Sequence, residues 1–411
     1  MRAGKTRVGG EVNRTAQTSS MSTEPVPQRN VPFYRPDIGD EEIAAVVHTL
    51  RSGWLTVGPQ TQEFEQQFAR TVGAAHAVAV SSCTAALHLA LDALDIEPGD
   101  EVITSTLTFA ATGATIVHSG ARPVLADCTR DTLNIDPADV ARKVTPRTRA
   151  VVPVHFAGQP APMDELLEIA RQHRLKIVED AAHALPASYH GRSIGTIGDL
   201  TAFSFYATKN LTTGEGGMLT LTDGALADRL RTRRLHGMSR DAWRRYSAQG
   251  SWRYDVSYPG FKYNMTDIAA SMGLVQLQRL PALHRRRQAI VALYDALLRD
   301  RPELEPLAVL PNVQHAWHLY VVRIRPERLR IDRDTLIEQL KAQGVATAVH
   351  FIPLHLHSFY RDAFGYRPQD FPVASAAAET ILSLPLFTLM SDDDVRYVAA
   401  ALGSILDANR Q

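Results

Sequence analysis

Two ionisable side chains in the middle of the chain, Lys209 and Asp180, have surroundings that could support catalysis. Lys209 stands in FSFYATKNLTTGEGG, directly after an apolar run, although a lysine ammonium is strongly hydrated and normally lies on the surface. Asp180 ends the apolar run LKIVED and is followed by AAHALPA, so its carboxylate is poorly solvated and needs a cationic partner. That partner is either a structural cation or a ligand. Lys209 is either a turn lysine in solvent or an amine used in covalent chemistry.

Hydroxyl groups that could bind phosphate follow two other apolar runs. Ser82 and Thr84, with Cys83 between them, come after AVAVS and open a helical pattern, where hydroxyls and free backbone N–H groups suit an anion. The same residues are also typical of a simple helix N-cap. Ser204, near the end of TAFSF, is either a further ligand of that anion or a strand-end hydroxyl without a role.

Two rings occupy comparable positions in the sequence. Phe109 in TLTFAAT comes after the run EVITS and could stack on a flat ligand, although a single phenylalanine more often belongs to the core. His183 follows Asp180 by three residues and is either a histidine satisfied by backbone groups or a ligand contact. Neither ring indicates a function by itself.

The elements that must position these residues alternate between strands and helices. Short β-rich runs are followed by helical patterns, which indicates a mostly parallel sheet covered by helices on both faces, the α/β class. The predicted strands are 77–81, 101–105, 122–127, 150–154, 175–180, 201–205 and 217–222. Such sheets bind ligands at the carboxyl ends of their strands, so the sequence predicts that the residues named above meet at one edge.

Composition and charge limit the function classes. The 411 residues are 45% hydrophobic and 21% charged, which suits a globular protein with one large and one smaller domain. Lys and Arg together number 44, as do Asp and Glu, so no net field favours nucleic acid or an anionic membrane as a partner. Two cysteines without CxxC spacing predict no metal site and favour the reducing cytoplasm.

The first 28 residues predict a disordered tail. They are rich in Ser, Thr, Gly and Pro and contain no apolar segment of signal-peptide length. Met21 is an alternative start. No run of about 18 apolar residues predicts a membrane span.

Taken together, Lys209, Asp180, Thr84 and Phe109 match the requirements of pyridoxal 5′-phosphate. This cofactor needs a lysine for a Schiff base, a carboxylate that keeps its pyridine nitrogen protonated, hydroxyls and amides for its phosphate, and a flat group over its ring. A lysine held as an imine has no ammonium to hydrate, which explains its place behind an apolar run. The sequence therefore predicts an enzyme that uses this cofactor.

At these residues the chain resembles the DegT/StrS family of nucleotide-sugar aminotransferases. The resemblance runs from RPDIGDEEIAAVVHTLRSGWLTVGP to LSLPLF near residue 387 and includes SSCTAALHLALDAL, TFAAT, VEDAAHA, FSFYATKN and GFKYNMTDIAA. It implies the fold-type-I aminotransferase architecture. A large domain over 29–285 would hold a mostly parallel seven-stranded sheet between helices, and 286–411 would form a smaller α/β domain.

The resemblance also implies roles for individual residues. Lys209 would form the Schiff base and act as the catalytic base, Asp180 would contact the pyridine nitrogen, and His183 would lie beside the cofactor ring. The phosphate and the ring face would be contacted by Ser82, Cys83, Thr84, Ser204 and Phe109. Cys83 departs from the family pattern, because many members have glycine there. Lys209 argues for transamination, since the related 3-dehydratases have histidine in its place.

A homodimer with shared active sites follows from the same resemblance. Asn264 in YNMTD is similar to the residue that family members donate to the phosphate of the partner subunit's cofactor. The sugar site would include Tyr34, Thr56, His350 and Phe351, which stand in FYRP, GWLTVGP and HFIP, although loop packing explains the same residues equally well.

The predicted reaction moves the amino group of L-glutamate to a nucleotide-linked 4-keto sugar, such as dTDP-4-keto-6-deoxyglucose, with ping-pong kinetics. Histidine in DAAHA, together with GFKYNMTD and HAWHLY, resembles the 4-aminating members. A 3-keto sugar aminotransferase and a non-catalytic cofactor-binding regulator are the alternatives. The nucleotide, the stereochemistry and the pathway, antibiotic sugar or surface polysaccharide, do not follow from the sequence. The arginine-rich stretch 229–245 predicts a solvated helix face, with contact to a sugar diphosphate as the alternative.

Overall fold

The computed structural model of the chain describes residues 29–238 and 254–411, so the predicted tail over 1–28 lies outside the described residues. The larger part of the fold contains α1 (Asp40–Ser52), α2 (Pro59–Val72), β1 (His76–Val80), α3 (Cys83–Ala93), β2 (Glu101–Ser105), α4 (Ala110–His118), β3 (Arg122–Ala126), α5 (Pro137–Lys143), β4 (Thr148–Val152), α6 (Met163–His173), β5 (Lys176–Asp180), β6 (Ser188–Tyr189), β7 (Arg192–Ser193), β8 (Leu200–Ser204), β9 (Gly217–Leu221), α7 (Gly224–Arg233) and α8 (Asp267–Leu298). All the predicted strands are present, within two residues at each end.

These seven predicted strands form one sheet in the order β1-β9-β8-β5-β4-β2-β3. β9 pairs antiparallel with β1 and β8, whereas the other neighbouring strands pair in parallel. Both faces of the sheet are buried: in β1, Ala77 and Ala79 belong to one core and Val78 and Val80 to another. Period-2 alternation thus places apolar side chains on both faces. The predicted α/β fold is confirmed.

Close packing brings the first turn of α3 to the carboxyl edge of the sheet. β5 ends at Asp180 and β8 at Ser204, and Ser204 lies opposite Gly217 of β9. A Cβ atom on Gly217 would lie 2.5 Å from the carbonyl carbon and oxygen of Ser82 and 2.7 Å from the backbone nitrogen of Cys83. Glycine at 217 therefore lets the start of α3 lie directly against β9, beside the ends of β5 and β8.

The C-terminal part of the chain forms a smaller α/β unit. It contains β10 (Leu304–Pro306), β11 (Val313–Gln314), β12 (Tyr320–Ile324), α9 (Arg333–Ala342), α10 (Ser358–Phe364), α11 (Pro372–Thr380), β13 (Ile381–Leu384) and α12 (Asp392–Ala408). β10, β12 and β13 form an antiparallel sheet, and β11 joins β6 and β7 of the larger part.

The helix α8 belongs to both parts. Leu277 and Leu280 in its first half pack into the core of the seven-stranded sheet, and Ile290 in its second half packs into the core of the smaller unit. The predicted boundary between residues 285 and 286 falls inside this helix. Val31 also packs into the smaller core, although the prediction grouped its segment with the large domain. Across 29–238 and 254–411, no helix is long and apolar enough to cross a membrane.

Candidate active site

A cavity of about 660 Å³ opens where β5 and β8 end and α3 begins. Most of the residues predicted to form the site line this cavity: Tyr34, Ser82, Cys83, Thr84, Phe109, Asp180, His183, Ser204, Lys209, His350 and Phe351. Residues from both parts of the fold therefore meet around one space, which is large enough for a cofactor and part of a substrate.

Lys209 lies in the turn after β8, where its backbone N–H donates a hydrogen bond to the carbonyl of Tyr206 over 2.9 Å. The residue as a whole is half-buried, but its ammonium is desolvated. Burial lowers the pKa of Lys209 to about 8, and the neighbouring Cys83 and Asp180 only partly oppose this effect. At pH 7 a larger share of Lys209 is therefore neutral than for a surface lysine, and the neutral amine is the nucleophilic form.

Asp180 is buried at the end of β5. Its Oδ2 accepts a hydrogen bond from the Thr112 hydroxyl over 2.7 Å, and its Oδ1 accepts one from the backbone N–H of Ala182 over 3.2 Å. Burial raises the pKa of the carboxyl, and these hydrogen bonds, Lys209 and His155 only partly counteract it. His155 is itself bonded to a different carboxylate, that of Glu179. A ligand therefore fits better than a structural cation as the partner of Asp180.

The first turn of α3 forms a polar end of the cavity. Ser82 is the N-cap, and its hydroxyl accepts a hydrogen bond from the backbone N–H of Ala85 over 3.0 Å. Thr84 is exposed to the cavity. Cys83 is buried with its thiol 3.7 Å from the carbonyl of Ala202, and burial raises its pKa well above the ordinary value. The turn thus offers one free hydroxyl and unpaired N–H groups, the donor set of an anion site.

Ser204 lies across the cavity edge from this turn. Its hydroxyl accepts a hydrogen bond from the backbone N–H of Tyr206 over 3.4 Å, and the hydroxyl proton is free for an anion. Ser204 pairs with Gly217 in the sheet, which places it next to the start of α3.

Rings form the walls of the cavity. The His183 ring stacks on Phe351, with centroids 5.7 Å apart and an interplanar angle of 23°, and lies 4.3 Å from the His318 ring. Burial lowers the pKa of both histidines well below the ordinary value, so both are neutral. Phe109 is 61% exposed and lies 5.9 Å from Phe351, so the core interpretation of Phe109 is wrong.

Two predicted residues do not line the cavity of the single chain. Thr56 is exposed, and its carbonyl accepts a hydrogen bond from the backbone N–H of Asp267. Asn264 pairs with Val80 at the end of β1, and its side-chain N–H donates to the carbonyl of Met265 over 3.2 Å.

Other residues of the site were missed by sequence reasoning. His318 stands in HAWHLY and Thr112 in TFAAT, two motifs that were recognised without a role for these side chains. His318, Phe33, Tyr206 and Glu215 line the cavity, whereas Thr112 does not line it and contacts Asp180. Tyr206 directly precedes ATKN, but an aromatic residue after a strand gives no signal that separates a cavity wall from a core position.

The arginine-rich stretch 229–245 is only in part a solvated face where the structure describes it, with Arg229 and Arg231 partly exposed. Arg233 and Arg234 are buried, and they form salt bridges with Asp92 and Glu65, the first over 2.6 Å. The expected solvated face is wrong for these two residues. The part of the stretch from residue 239 onward lies outside the described residues.

The site fits pyridoxal phosphate. Among the described residues, the His183 Nδ1 atom is buried without a hydrogen-bond partner and the Asp180 carboxylate forms no salt bridge. An amine of lowered pKa lies with an anion site in the same cavity. A cofactor with a phenolic oxygen, a pyridinium nitrogen, an aldehyde and a phosphate satisfies all four groups. With the α/β architecture, this donor set defines a fold-type-I enzyme that depends on pyridoxal phosphate.

The chain belongs to the DegT/DnrJ/EryC1/StrS aminotransferase family, whose model matches residues 36–403. It is 53% identical over 384 residues to the spore coat polysaccharide biosynthesis protein SpsC of Bacillus subtilis, an alignment that covers 93% of this chain and 99% of SpsC. Its family and neighbours make it a pyridoxal-phosphate-dependent sugar aminotransferase, as predicted.

Solved structures of related proteins are also similar to this chain. The sugar aminotransferase Spr1654 of Streptococcus pneumoniae, in its PMP form, has a TM-score of 0.87 and 37% identity, and the match covers 92% of this chain and 100% of that one. The same protein has also been solved in a PLP form. DesV of S. venezuelae, in complex with a ketimine intermediate, has a TM-score of 0.81 and 36% identity over 89% of this chain and 94% of DesV.

Proposed function

We propose that the chain transfers the amino group of L-glutamate to a nucleotide-linked 4-keto sugar, with a deoxysugar such as dTDP-4-keto-6-deoxyglucose as acceptor. The observation that carries the proposal is the pair formed by Lys209, whose pKa is lowered, and Asp180, whose carboxylate lines the same cavity without a salt bridge to any residue that the structure describes. The choice of the 4-position rests on the motifs DAAHA and HAWHLY, whose His183 and His318 both line the cavity.

Lys209 is the proposed proton carrier. Pyridoxal phosphate, when bound, supplies an electron sink and holds the amino group between the two half-reactions. Lys209 would hold it covalently at rest. Once displaced, the Lys209 amine takes the proton from the α-carbon of glutamate, and in the second half-reaction it delivers a proton to the sugar carbon that receives nitrogen. A pKa of about 8 suits both directions near neutral pH.

The remaining residues would hold and orient the cofactor. Asp180 would hold the pyridine nitrogen protonated, which would let the ring withdraw electrons. Thr84, Ser204 and the N–H groups that begin α3 would bind the phosphate. His183 and Phe109 would contact the ring, and Phe109 would shield it from water.

The proposed sugar site is neutral. Burial raises the pKa of Tyr34 to about 12, and its hydroxyl donates to the carbonyl of Ala207 in the turn before Lys209. Burial lowers the pKa of His350 to about 4, and its Nδ1 lies 2.9 Å from the Ser383 hydroxyl. Uncharged polar groups beside Phe351 suit a keto sugar ring better than a diphosphate.

A homodimer is the proposed assembly, because α1 buries an acidic side chain and exposes apolar ones. Glu42 is buried and bonds Arg279 of α8, whereas Ile43 and Leu50 on the same helix are 54% and 49% exposed. A second copy of the chain could cover such an apolar face. Asn264 lies outside the cavity of its own chain. One of its two side-chain N–H groups donates to Met265, and the other remains for the partner's phosphate site.

Subunit mixing tests this assembly. Lys209→Ala and Asn264→Ala each damage a different half of a shared site, so a heterodimer retains one intact site with Lys209 from one chain and Asn264 from the other. Asn264→Ala should loosen the cofactor more than it perturbs the fold. Mixing it with inactive Lys209→Ala should restore activity. If subunit exchange is demonstrated and no activity returns, the shared site must be abandoned.

The acceptor is tested by incubating the protein with glutamate and a panel of dTDP- and UDP-linked 3-keto and 4-keto sugars, with mass analysis of the products. Amination of a 4-keto sugar is expected. Amination of 3-keto sugars alone would overturn the assignment of the 4-position. A regulator that only binds the cofactor would show no absorbance change with glutamate.

Both cysteines are free and buried, which supports the proposed cytoplasmic location.

A further inference from the structure

A chain of buried hydroxyls leads to Asp180 from the segment that precedes α4. The Thr108 hydroxyl lies 2.8 Å from the Thr112 hydroxyl, and the Thr112 hydroxyl donates to Asp180 Oδ2 over 2.7 Å. Thr108 and Thr112 are each 1% exposed, and Asp180 is 5% exposed. Neither threonine lines the cavity, so both lie behind the carboxylate.

The direction of these hydrogen bonds is fixed by the number of protons. A carboxylate only accepts, so the single hydroxyl proton of Thr112 goes to Asp180. Thr112 must then accept from Thr108, and the two hydroxyl dipoles align head to tail towards the negative charge. A hydrogen bond to a charged group is stronger than one between neutral groups, and an aligned donor strengthens it further.

The position of Thr112 is fixed by the packing of α4. A Cβ atom on its neighbour Gly113 would lie 2.6 Å from the Tyr360 hydroxyl oxygen and 2.7 Å from Leu354 Cδ1. Glycine lets α4 pack closely against this part of the smaller unit, while Thr112 faces the sheet. Thr112 is therefore held from both sides rather than free to rotate away from β5.

We propose that Thr112, oriented by Thr108, is a positioning residue that keeps the Asp180 carboxylate ionised and aimed at the pyridine nitrogen of the cofactor. The inference rests on the role of Asp180 in the proposed function. Thr112 touches neither cofactor nor substrate and acts only through Asp180. The other titratable groups that act on or beside Asp180 are Lys209, Cys83 and His155, none of which donates a hydrogen bond to the carboxylate.

Binding of pyridoxamine 5′-phosphate to the apo-protein tests the proposal without a covalent bond to Lys209. Its dissociation constant is measured by equilibrium dialysis between about pH 5 and pH 8. Thr112→Val removes a donor to the ionised carboxylate, so the loss of affinity on acidification should begin at higher pH. Affinity on that acid limb should fall by about 10-fold to 100-fold, the value of a hydrogen bond to a charged group.

Three variants serve as controls. Thr112→Ser keeps the hydroxyl and should bind within about threefold of wild type. Thr104→Val removes a buried hydroxyl of the same size, which donates to the carbonyl of Val152 over 2.7 Å, and should leave the pH profile unchanged. In an Asp180→Asn background, Thr112→Val should have no additional effect on affinity, because the charge it supports is absent.

The outcomes separate the inference from the function it rests on. If Thr112→Val keeps the wild-type pH profile while Asp180→Asn binds weakly, Thr112 is structural and the inference fails alone. If Asp180→Asn itself binds as wild type does, both the inference about Thr112 and the proposed role of Asp180 fail. If Thr112→Val does not fold, a wild-type profile for Asp180→Asn or a shifted profile for Thr112→Ser overturns the proposal.

Discussion

Glu179 and Asp180 are consecutive residues of β5 that face opposite sides of the sheet, and their carboxylates have opposite surroundings. Glu179 is fully buried and accepts hydrogen bonds from His155 Nε2 over 2.9 Å, from the Gly198 N–H over 2.7 Å and from the Thr201 hydroxyl over 2.7 Å. Burial tends to raise its pKa, but these partners lower it below the ordinary value. Asp180 has fewer donors, and burial keeps its pKa raised.

The difference separates a structural carboxylate from one prepared for a ligand. The His155 Nδ1 accepts a hydrogen bond from the Ala161 N–H, so its Nε2 carries the proton given to Glu179, and every group in that cluster is satisfied. Around Asp180 the protein supplies too little stabilisation for the charge. A bound cation supplies the rest, which is the contribution we assign to the pyridinium nitrogen.

Removal of the Lys209 amine, which lies in the same cavity as Asp180, should have the largest effect on turnover. Lys209→Ala eliminates both the covalent anchor and the proposed base, so turnover should fall by about 10⁴-fold or more. The unfolding temperature should stay close to that of wild type, since the Glu179 side is untouched. Stopped-flow absorbance of the glutamate half-reaction measures the loss. Full activity in this variant would refute the mechanism.

Asp180→Asn should lower kcat by about 10²-fold to 10³-fold, because a neutral amide cannot hold the pyridine nitrogen protonated. Folding should change little, since the Asn oxygen can still accept from the Ala182 N–H while its NH2 group donates to the Thr112 hydroxyl, which can turn to accept. Steady-state kinetics and thermal unfolding of the same preparation give the two numbers. Activity near that of wild type would place Asp180 with Glu179 among the structural carboxylates.

Glu179→Gln should show the reverse pattern. One side-chain oxygen becomes an N–H group that faces a donor, either His155 or the Gly198 and Thr201 pair, and the protein should lose about 3 kcal/mol of unfolding free energy. The kcat of the folded holoenzyme should remain within about threefold. Urea unfolding with saturating cofactor measures the first quantity. A fall in kcat as large as that of Asp180→Asn would erase the distinction between the two residues.

The smallest effect should be on the pH dependence of the stability of the apo-protein. The pKa of Asp180 is raised in the folded state, so its contribution to stability is present below the ordinary carboxyl pKa and is lost as pH rises through the folded value. The pKa of Glu179 is lowered, so its contribution is lost only as pH falls through the folded value. At neutral pH, apo Asp180→Asn should be at least as stable as apo wild type. A clearly lower melting temperature of the variant at pH 7, in differential scanning fluorimetry across pH 4 to 7, would argue against this sign.

Much of this arrangement could be predicted from sequence because apolar runs and helical patterns report on local structure. The strand ends at Asp180 and Ser204 and the cap at Ser82 followed from such patterns, and the resemblance of the motifs added His350 and Phe351. Thr112 could not be assigned, because its contact with Asp180 depends on how α4 packs across the sheet. The burial of Arg233 and Arg234 was missed for the same reason, since their partners are distant in sequence.

The shared helix α8 has a consequence for how the molecule comes apart. Each of the two cores loses apolar partners, Leu277 and Leu280 on one side and Ile290 on the other, if α8 unwinds. Melting of either part therefore removes support from the other, and the chain should behave as one cooperative unit despite its two sheets. Calorimetry of the apo-protein should record a single endotherm whose van't Hoff and calorimetric enthalpies agree. Two resolved peaks would mean that α8 can fray without disturbing both cores.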